Sequence, residues 1–509
     1  MKGIDWSSLW KKEDWLAVWL GFLIMALVVF GIWVVQTPTY RWTTDAEFTN
    51  FVQSKAPELD QLLKGAEAKG EKGLATETTA LLAAIQKGDR AAIASAAGKL
   101  DTASKDAKDK ALKTLSSTLA RDLRTQSRAL LDNVLTWDNI QKILIIGVIY
   151  LVLASIGIFL KGGNIRKFAL GFPVVFFMAV LAQFLAGNYT SSTWGLEFVL
   201  WALILGLLVS NLIKLPAWLK EAVQTEYFIK TGLVIFGASI LFSEIVSAGA
   251  LGLVQGLIVI STVWYGAYWL LRKVFKLDDG FAAVMSSAVA ICGVSAAIAA
   301  HGAVKGDSKK LSYVTSLVLL IAMPMMILQP FFAKLVNLPE AVAGAWMAGT
   351  IDTTAAVVVA GAMVGETAMK YASILKLTQN ALIGVVAFIL AVAWTFKDKA
   401  PGAERPSVME VWYRFPKFVL GFIVASVIFS LVIDPAVVTA TKSMLGHLRV
   451  VWFALAFVCI GLDTRFADLI ATGGGKPALG FVTAQLFNIV WVLLLAYLLF
   501  GGVFFPPPF

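Results

Sequence analysis

The sequence predicts an all-α protein that crosses the membrane many times and carries a helical insert outside it. Of its 509 residues, 58% are hydrophobic and only 15% are charged, a balance too apolar for a soluble chain of this length. The apolar runs are long enough for helices to cross a bilayer, unlike the short alternating runs of a β-barrel. Small polar residues interrupt two of these runs. We therefore predict about 13 transmembrane helices that form two inverted five-helix repeats with crossed discontinuous helices, in addition to the insert.

The distribution of charge and the absence of familiar motifs exclude several classes of protein. The formal net charge is +10, but Lys and Arg lie mostly in loops between apolar runs, where they set topology. We therefore expect no nucleic-acid partner. Both cysteines lie in apolar runs and do not indicate a disulfide framework. The sequence has no GxxxxGK[ST], GxSxG, HExxH or paired CxxC motif. We expect neither an enzyme nor a bound cofactor or metal. Without a nucleotide-binding motif, any transport by this chain alone would need an ion or substrate gradient.

The chain begins with one membrane span and continues into the polar insert. Residues 1–43 hold the first predicted transmembrane helix, Leu16–Val35, which is longer and richer in Trp than a signal-peptide core and is therefore expected to be retained. Residues 44–137 are rich in Ala, Lys, Asp, Leu and Thr, with apolar residues at helical spacing. We predict two to four helices there. The insert would serve as a spacer or oligomer contact, or alternatively as a gate or a partner-docking domain.

Twelve further spans divide the rest of the chain into three parts. Additional transmembrane helices occupy residues 138–190, the first five-helix repeat 191–335, and the second, inverted repeat 336–509. An odd number of spans repeated in tandem must insert with opposite orientation. Basic residues in the predicted inner loops place the N-terminus inside and the insert outside. The spans are predicted near 140–160, 168–187, 193–213, 229–245, 250–271, 280–302, 311–333, 341–364, 371–396, 417–433, 440–462 and 478–500.

Two stretches predict the interrupted helices. In the first, Ser286–His301, small and polar side chains replace the expected apolar ones near mid-span, at Cys292, Gly293 and Ser295. Gly and Ser let a helix open, and within a bilayer the freed backbone groups are tolerated only against protein or a water-filled cavity. The second stretch, Val458–Ala467, has a similar set, namely Cys459, Gly461, Asp463 and Thr464. The alternative is that small residues simply let helices pack closely.

A carboxylate and a lysine lie in two other apolar segments. Asp352 is followed by Thr353, and a carboxylate at that depth indicates a proton, ion or substrate pathway, or else a structural pair with Lys376. Lys376 precedes Gln379 and Asn380 and is suited to hold an anion, to balance Asp352, or to snorkel toward the interface. Hydrogen bonds between helices are expected from other polar residues within spans, namely Asn211, Gln329, Gln485 and Asn488.

At this point the order of motifs resembles a known family. AICGVSAAIAA is followed by GAWMAGTIDTTAAVVVAG, then ILKLTQN, then CIGLDTRFADL. This order resembles the YeiH-like sulfate exporter family, which is grouped with bile-acid, arsenite and riboflavin transporters, over about Arg166–Gly501. The resemblance implies a core and a panel domain, with discontinuous helices crossing at Ile291–Ser295 and Cys459–Thr464. One departure is that Thr353 follows Asp352 where relatives often carry a His–acid pair.

The resemblance and the residues together predict a secondary transporter for a small anion, sulfate or a sulfur-containing organic acid. The alternatives are a sodium- or proton-coupled importer of an organic solute, and a channel or membrane sensor that uses the outer insert. We expect a multi-pass protein of the bacterial inner membrane with the insert facing the periplasm, and the sequence leaves a homodimer open. The predicted substrate contacts are Cys292, Gly293, Ser295, Lys376, Gln379, Asn380, Gly461 and Thr464. The predicted coupling residues, for Na⁺ or H⁺, are Asp352, Thr353 and Asp463.

Overall fold

The described part of the chain folds into helices. The computed structural model describes residues 8–33, 35–194, 196–304, 306, 308–398, 412, 415–465, 467 and 475–509. Over these ranges the regular structure is helical, apart from an isolated bridge between Trp42 and Asn188. The prediction of an all-α protein is therefore confirmed. The predicted inner loops 397–417 and 465–476 lie largely outside the described residues.

Within the described ranges, eight helices are long and apolar enough to cross a membrane. Each coincides with a predicted span. The total of about 13 transmembrane helices and the two inverted repeats stay predictions. The eight are Trp137–Leu160, Ile165–Ala186, Phe242–Val274, Asp279–Val304, Tyr313–Leu335, Glu366–Trp394, Pro435–Asp463 and Lys476–Phe500. Shorter apolar helices occupy Phe198–Leu212, Thr354–Val364 and Lys417–Val432.

The chain divides into two compact units. The first, which we name the membrane unit, comprises Met1–Val34, Ile149–Ala179 and Ala202–Phe509. The second, the insert unit, comprises Val35–Val148 and Val180–Trp201. The membrane unit opens with helices α1, Ser8–Lys11, and α2, Glu13–Val29.

The insert unit is built on amphipathic helices with well-formed ends. Its leucines recur on one face of each helix, and the most deeply buried, including Leu59, Leu100 and Leu119, form its core. Asp89 and Asp109 cap two of the helices through side-chain oxygens. Gly88 ends another in the left-handed conformation, with φ at 71°, which a glycine adopts without steric cost. The sequence predicted two to four helices here, and the structure has five, the last of which is a short helix of five residues. They are α3, Asp45–Ala68; α4, Lys72–Lys87; α5, Arg90–Asp106; α6, Lys110–Arg128; and α7, Leu131–Leu135.

The helices after the insert run from α8 to α25. Up to the first interruption they are α8, Trp137–Leu160; α9, Ile165–Ala186; α10, Tyr189–Thr193; α11, Phe198–Leu212; α12, Ala217–Ala222; α13, Thr225–Gly237; α14, Phe242–Val259; α15, Tyr265–Trp269; and α16, Asp279–Ser287. The remainder are α17, Gly293–Val304; α18, Ser308–Leu335; α19, Glu340–Thr350; α20, Thr354–Val364; α21, Glu366–Ala381; α22, Ile383–Asp398; α23, Lys417–Val427; α24, Pro435–Asp463; and α25, Lys476–Phe500.

Four helices of the membrane unit pack together as a group. These are α2, α13, α23 and α24, which we name the panel helices. Small residues let them approach closely: a Cβ on Gly232 would lie 2.5 Å from the ring of Phe453, and one on Gly21 would lie 2.6 Å from Val234. A second set carries the helix interruptions and is joined by contacts among its own members. We name these the core helices: α14 and α16–α22, with α25.

Candidate functional site

The first helix interruption lies where α16 gives way to α17. The backbone of Ala288–Cys292 is π-helical, and Gly293 leaves the helical region with φ at 4° and ψ at −95°. Single π-helical turns of this kind are frequent at functional sites. Since the α-helical ladder is broken, the carbonyl groups just before Gly293 need other donors. The predicted interruption near Gly293 is present.

The second interruption separates α19 from α20 at residues 351–353. Thr353 begins α20 as its N-cap, and its Oγ1 accepts a hydrogen bond from the backbone N–H of Ala356 at 3.2 Å. Asp352 therefore lies in a connection between two helices and not, as the sequence suggested, inside a continuous span. A Cβ placed on Gly293 would lie 2.9 Å from the backbone oxygen of Asp352 and 3.0 Å from its Cβ. The two interruptions thus meet in direct contact, which we name the crossing.

Donors on α21 satisfy the carbonyl groups exposed by the first interruption. Lys376 Nζ donates to the oxygen of Ile291 at 2.7 Å, and Gln379 Nε2 donates to that of Ala290 at 2.9 Å. Lys376 is 1% exposed and also donates to Gln379 Oε1 at 3.3 Å. These bonds place positive and amide donors against the partly negative end of the first half-helix.

Donors on α25 do the same at the second interruption. Gln485 Nε2 donates to the oxygen of Thr350 at 2.6 Å. Asn488 Nδ2 lies 3.2 Å from the oxygen of Val289 and 3.4 Å from that of Gly349. These two residues hold the crossing together, as predicted for helix-joining amides, and the sequence did not place them at the site.

Unpartnered oxygen atoms also lie at the crossing. Asp352 is 2% exposed, and its Oδ2 makes no hydrogen bond within the described part of the chain. Asn380 donates through Nδ2 to Thr354 Oγ1 at 2.9 Å, whereas its Oδ1 is without a partner there. Asn488 Oδ1 is likewise without a hydrogen-bond partner among the described residues. Over the described residues, no salt bridge within 4.0 Å joins Asp352 to Lys376, although the two buried groups are close enough to interact electrostatically.

A cavity of about 300 Å³ lies beside the crossing. The core helices line it with Cys292, Ser295, Thr354 and Asn380, together with apolar residues. Ser295 is in the first turn of α17, and Thr354 is the first residue of α20. Both half-helices therefore direct their N-terminal ends, which carry partial positive charge and unsatisfied N–H groups, toward one space.

The panel helices supply a charged cluster to the opposite side of this cavity. Lys230 Nζ lies 2.9 Å from both Glu13 Oε1 and Asp14 Oδ1, and 3.5 Å from Glu226 Oε2. Lys161 shares Glu13 at 3.1 Å. The lining from this side includes Asp14, Glu226, Lys230, Phe415, Pro416 and Phe418. The sequence did not predict this cluster, because its members are spread over three segments. The usable signal was Lys230, which lies close to an apolar run.

The second predicted crossing, at Cys459–Thr464, is wrong. Helix α24 is continuous from Pro435 to Asp463. Gly461 serves close packing instead, since a Cβ there would lie 2.6 Å from the oxygen of Leu203 and 2.7 Å from Gly206 Cα. This is the alternative given in the sequence analysis, that small residues let helices pack closely.

The structure also places the other residues predicted at that stretch. Asp463 Oδ2 accepts from Thr225 Oγ1 at 2.8 Å. The oxygen of Thr464 accepts from Ser210 Oγ at 2.7 Å and from Asn211 Nδ2 at 3.0 Å. Their predicted roles in binding and coupling are not supported by a contact with the crossing among the described residues.

The eight described helices that are long and apolar enough to cross a membrane define a multi-pass membrane protein. A family model described as conserved hypothetical protein 698 matches residues 170–480. The chain belongs to this family, and its relatives include UPF0324 membrane proteins, in agreement with the YeiH-like resemblance.

The relatives differ in how much of their length matches. A UPF0324 membrane protein of Rhodopirellula baltica is 38% identical over 70% of this chain and 68% of its own. One from Nitratidesulfovibrio vulgaris is 40% identical, but the match covers 62% of its length. A second from the same organism is 33% identical over 98% of this chain and 96% of its own, so that match extends through the insert. No solved structure matches the chain.

Proposed function

We propose that this protein is a secondary transporter of a small anion, such as sulfate or a sulfur-containing organic acid. The observation that carries the proposal is the orientation of α17 and α20, whose N-terminal ends both border the cavity lined by Ser295 and Thr354. Helix N-termini bind anions through free N–H groups and the helix dipole. The opposite, carbonyl-bearing ends are already occupied by Lys376, Gln379 and Gln485, so the side of the cavity formed by the core helices favours negative charge. On the side of the panel helices, Lys230 lies beside Asp14 and Glu226.

Alternating access would come from movement of the panel helices against the core helices. The cavity is lined from both groups, which is the position expected of a transporter site. Cys292, Ser295 and Asn380 are the predicted substrate contacts that line it. Lys376 and Gln379 are not among the residues that line the cavity. They would act by donating hydrogen bonds to the backbone oxygens of the first interruption.

The unpartnered oxygens of Asp352, Asn380 and Asn488 favour a coupling cation. We propose that Asp352 carries a proton or helps to bind Na⁺ during the cycle. A buried carboxylate with an unpartnered oxygen, as Asp352 has at Oδ2, is costly when ionised, and a cation or proton offsets that cost. The same observation favours a second candidate function, a cation-coupled importer of an organic solute.

Thermal unfolding of the purified full-length protein tests these proposals. Sulfate, sulfite, taurine and sulfoacetate would each be added with and without sodium. A ligand of the folded state at a hundredfold excess over Kd raises the free energy of unfolding by about 2.7 kcal/mol. A shift from one of these anions supports the anion transporter, whereas no shift from any of them contradicts it. A shift that requires sodium identifies the coupling ion.

A matched pair of serine variants locates the binding site. Ser295→Ala removes a hydroxyl from the cavity and is expected to weaken anion binding by about 0.5–1.5 kcal/mol. Ser261→Ala is the control, because Ser261 is exposed and bonds only within its own helix, to the oxygen of Leu257. Equal anion affinity in both variants would place the site elsewhere.

A further inference from the structure

A groove in the insert unit carries three arginines on one wall. It has a volume of about 400 Å³ and lies between α5 and α6. Asp101 of α5 lines it together with six residues of α6, namely Ser117, Thr118, Arg121, Arg124, Thr125 and Arg128. A volume of this size falls within the range of small-molecule sites.

The sequence of α6 fixes the direction of these arginines. Leu112, Leu119 and Leu123 are buried in the core of the insert unit. Arg121, Arg124 and Arg128 follow the spacing i, i+3, i+7, which puts them together on the opposite face of the helix. Burial of the leucines therefore presents all three guanidinium groups to the groove.

The charge of the groove is not balanced from within the protein. Across the described part of the chain, the guanidinium groups of Arg121, Arg124 and Arg128 make no ion pair or hydrogen bond. Asp101 is the carboxylate that lines the groove beside them. Like charges at helical spacing repel one another, so an anion placed between them is stabilised.

We propose that this groove binds an organic phosphate, sulfate or sulfonate that also carries a hydroxyl group. The planar guanidinium fork matches the oxygens of such a group in a bidentate manner. The hydroxyls of Thr118 and Thr125 supply further donors, and Asp101 accepts from a hydroxyl of the ligand. The volume exceeds that of an inorganic ion, which is why an organic ligand is specified. The ligand is either a free solute or the headgroup of an anionic lipid.

The test uses one chemical group in both forms. Binding of sn-glycerol 3-phosphate to the full-length protein in detergent is measured by isothermal titration calorimetry. Binding of phosphatidylglycerol is measured by reconstitution in nanodiscs, against phosphatidylcholine. The triple variant R121Q/R124Q/R128Q is expected to weaken binding at least about tenfold, since several charge-assisted hydrogen bonds are removed together. Binding of the free solute alone identifies a solute site, and binding in nanodiscs alone identifies a lipid site.

Two controls make the result decisive. The variant K64Q/K72Q/K87Q removes the same charge from exposed positions on α3 and α4, and it is expected to bind as the wild type does. Ser295→Ala separates this site from the membrane cavity, because it leaves the groove untouched. If neither form of the ligand binds, or if the arginine and lysine variants bind equally, the proposal is overturned.

Discussion

Gly293 is the residue on which contact between the two interruptions depends most directly. A Cβ there would lie 2.3 Å from Val318 Cγ1 as well as against the backbone of Asp352. Gly293→Ala is therefore expected to lower the free energy of unfolding by about 1–3 kcal/mol, since an overpacked core must shift. Chemical unfolding of the purified protein in detergent measures the change.

The control for this variant is Gly98→Ala. Gly98 lies inside α5, and a Cβ there meets nothing within 4 Å. Alanine in an open helix position is more favourable than glycine by up to about 1 kcal/mol. We expect the two variants to change stability in opposite directions, and a similar loss in both would show that Gly293 is not under steric constraint.

Substitution of Lys376 tests whether the site depends on the hydrogen bonds that this side chain donates at the first interruption. Lys376→Met leaves the oxygen of Ile291 and Gln379 Oε1 without their donor. Loss of a donor to buried acceptors costs about 1–3 kcal/mol, so the unliganded protein should unfold at lower denaturant concentration. Lys220→Met, at an exposed position, is the control and should change stability by less than about 0.5 kcal/mol. Unchanged stability with lost anion binding would mean instead that Lys376 contacts the substrate.

At the scale of a single helix, Thr353 determines where α20 begins. Its Oγ1 accepts from the N–H of Ala356, as an N-cap does. Thr353→Val keeps the shape but removes the acceptor, and it is expected to cost about 1 kcal/mol and to weaken anion binding at the neighbouring cavity. Thr353→Ser retains the acceptor and should behave as the wild type in both thermal unfolding and ligand stabilisation. Equal loss in the two variants would argue against a capping role.

The start of α3 provides a prediction of pH dependence outside the membrane. Glu47 accepts from the backbone of Thr44 at 2.9 Å, from Asn188 at 3.1 Å, and from the hydroxyl of Thr190. Desolvation raises the pKa of Glu47, but these hydrogen bonds outweigh it and lower the pKa to about 2. A pKa depressed in the folded state stabilises the fold above the unfolded value, about 4.3, and this stability is lost as the pH falls toward 2.

Glu47→Gln should therefore be destabilising at pH 6, and its difference from the wild type should shrink between pH 5 and pH 3. Differential scanning calorimetry of the full-length protein measures the unfolding transition of the wild type and of the variant at each pH. Glu58→Gln is the control on the same helix, since Glu58 pairs with Lys55 at 2.8 Å near the surface. A difference between wild type and Glu47→Gln that does not change with pH would contradict the assignment.

The elements also show which structural features a sequence can specify. Hydropathy and helical spacing are local, so the all-α class, the spans and the insert helices could be predicted. The interruption at Gly293 followed from the small residues around it. The interruption at Asp352 was not predicted, because its signal is a single cap residue, Thr353, in front of an apolar run. Gly461 was assigned to a helix interruption because glycine serves both close packing and helix breaking. The cluster around Lys230 arises from the convergence of distant segments, which no local pattern shows.

At the scale of the whole molecule, the two cysteines report on opening of the cavity. Cys292 lines the cavity, whereas Cys459 is fully buried inside α24. If the panel helices move against the core helices, a small methanethiosulfonate reagent should modify Cys292 and not Cys459. A transported anion should slow this modification, because it occupies the same space. Mass spectrometry of the labelled protein measures the rate at each cysteine.

The cysteine variants complete this experiment. Cys459→Ala should label at the rate of the wild type, and Cys292→Ala should not label. Because both cysteines are buried in the resting structure, labelling at Cys292 requires an opening motion, and its rate reports how often the cavity is exposed. Slower labelling in the presence of an anion that also raises thermal stability would link binding, cavity and motion in one protein. Labelling of Cys292 that is insensitive to every stabilising anion would separate the cavity from the binding site, and the alternating-access proposal would then fail.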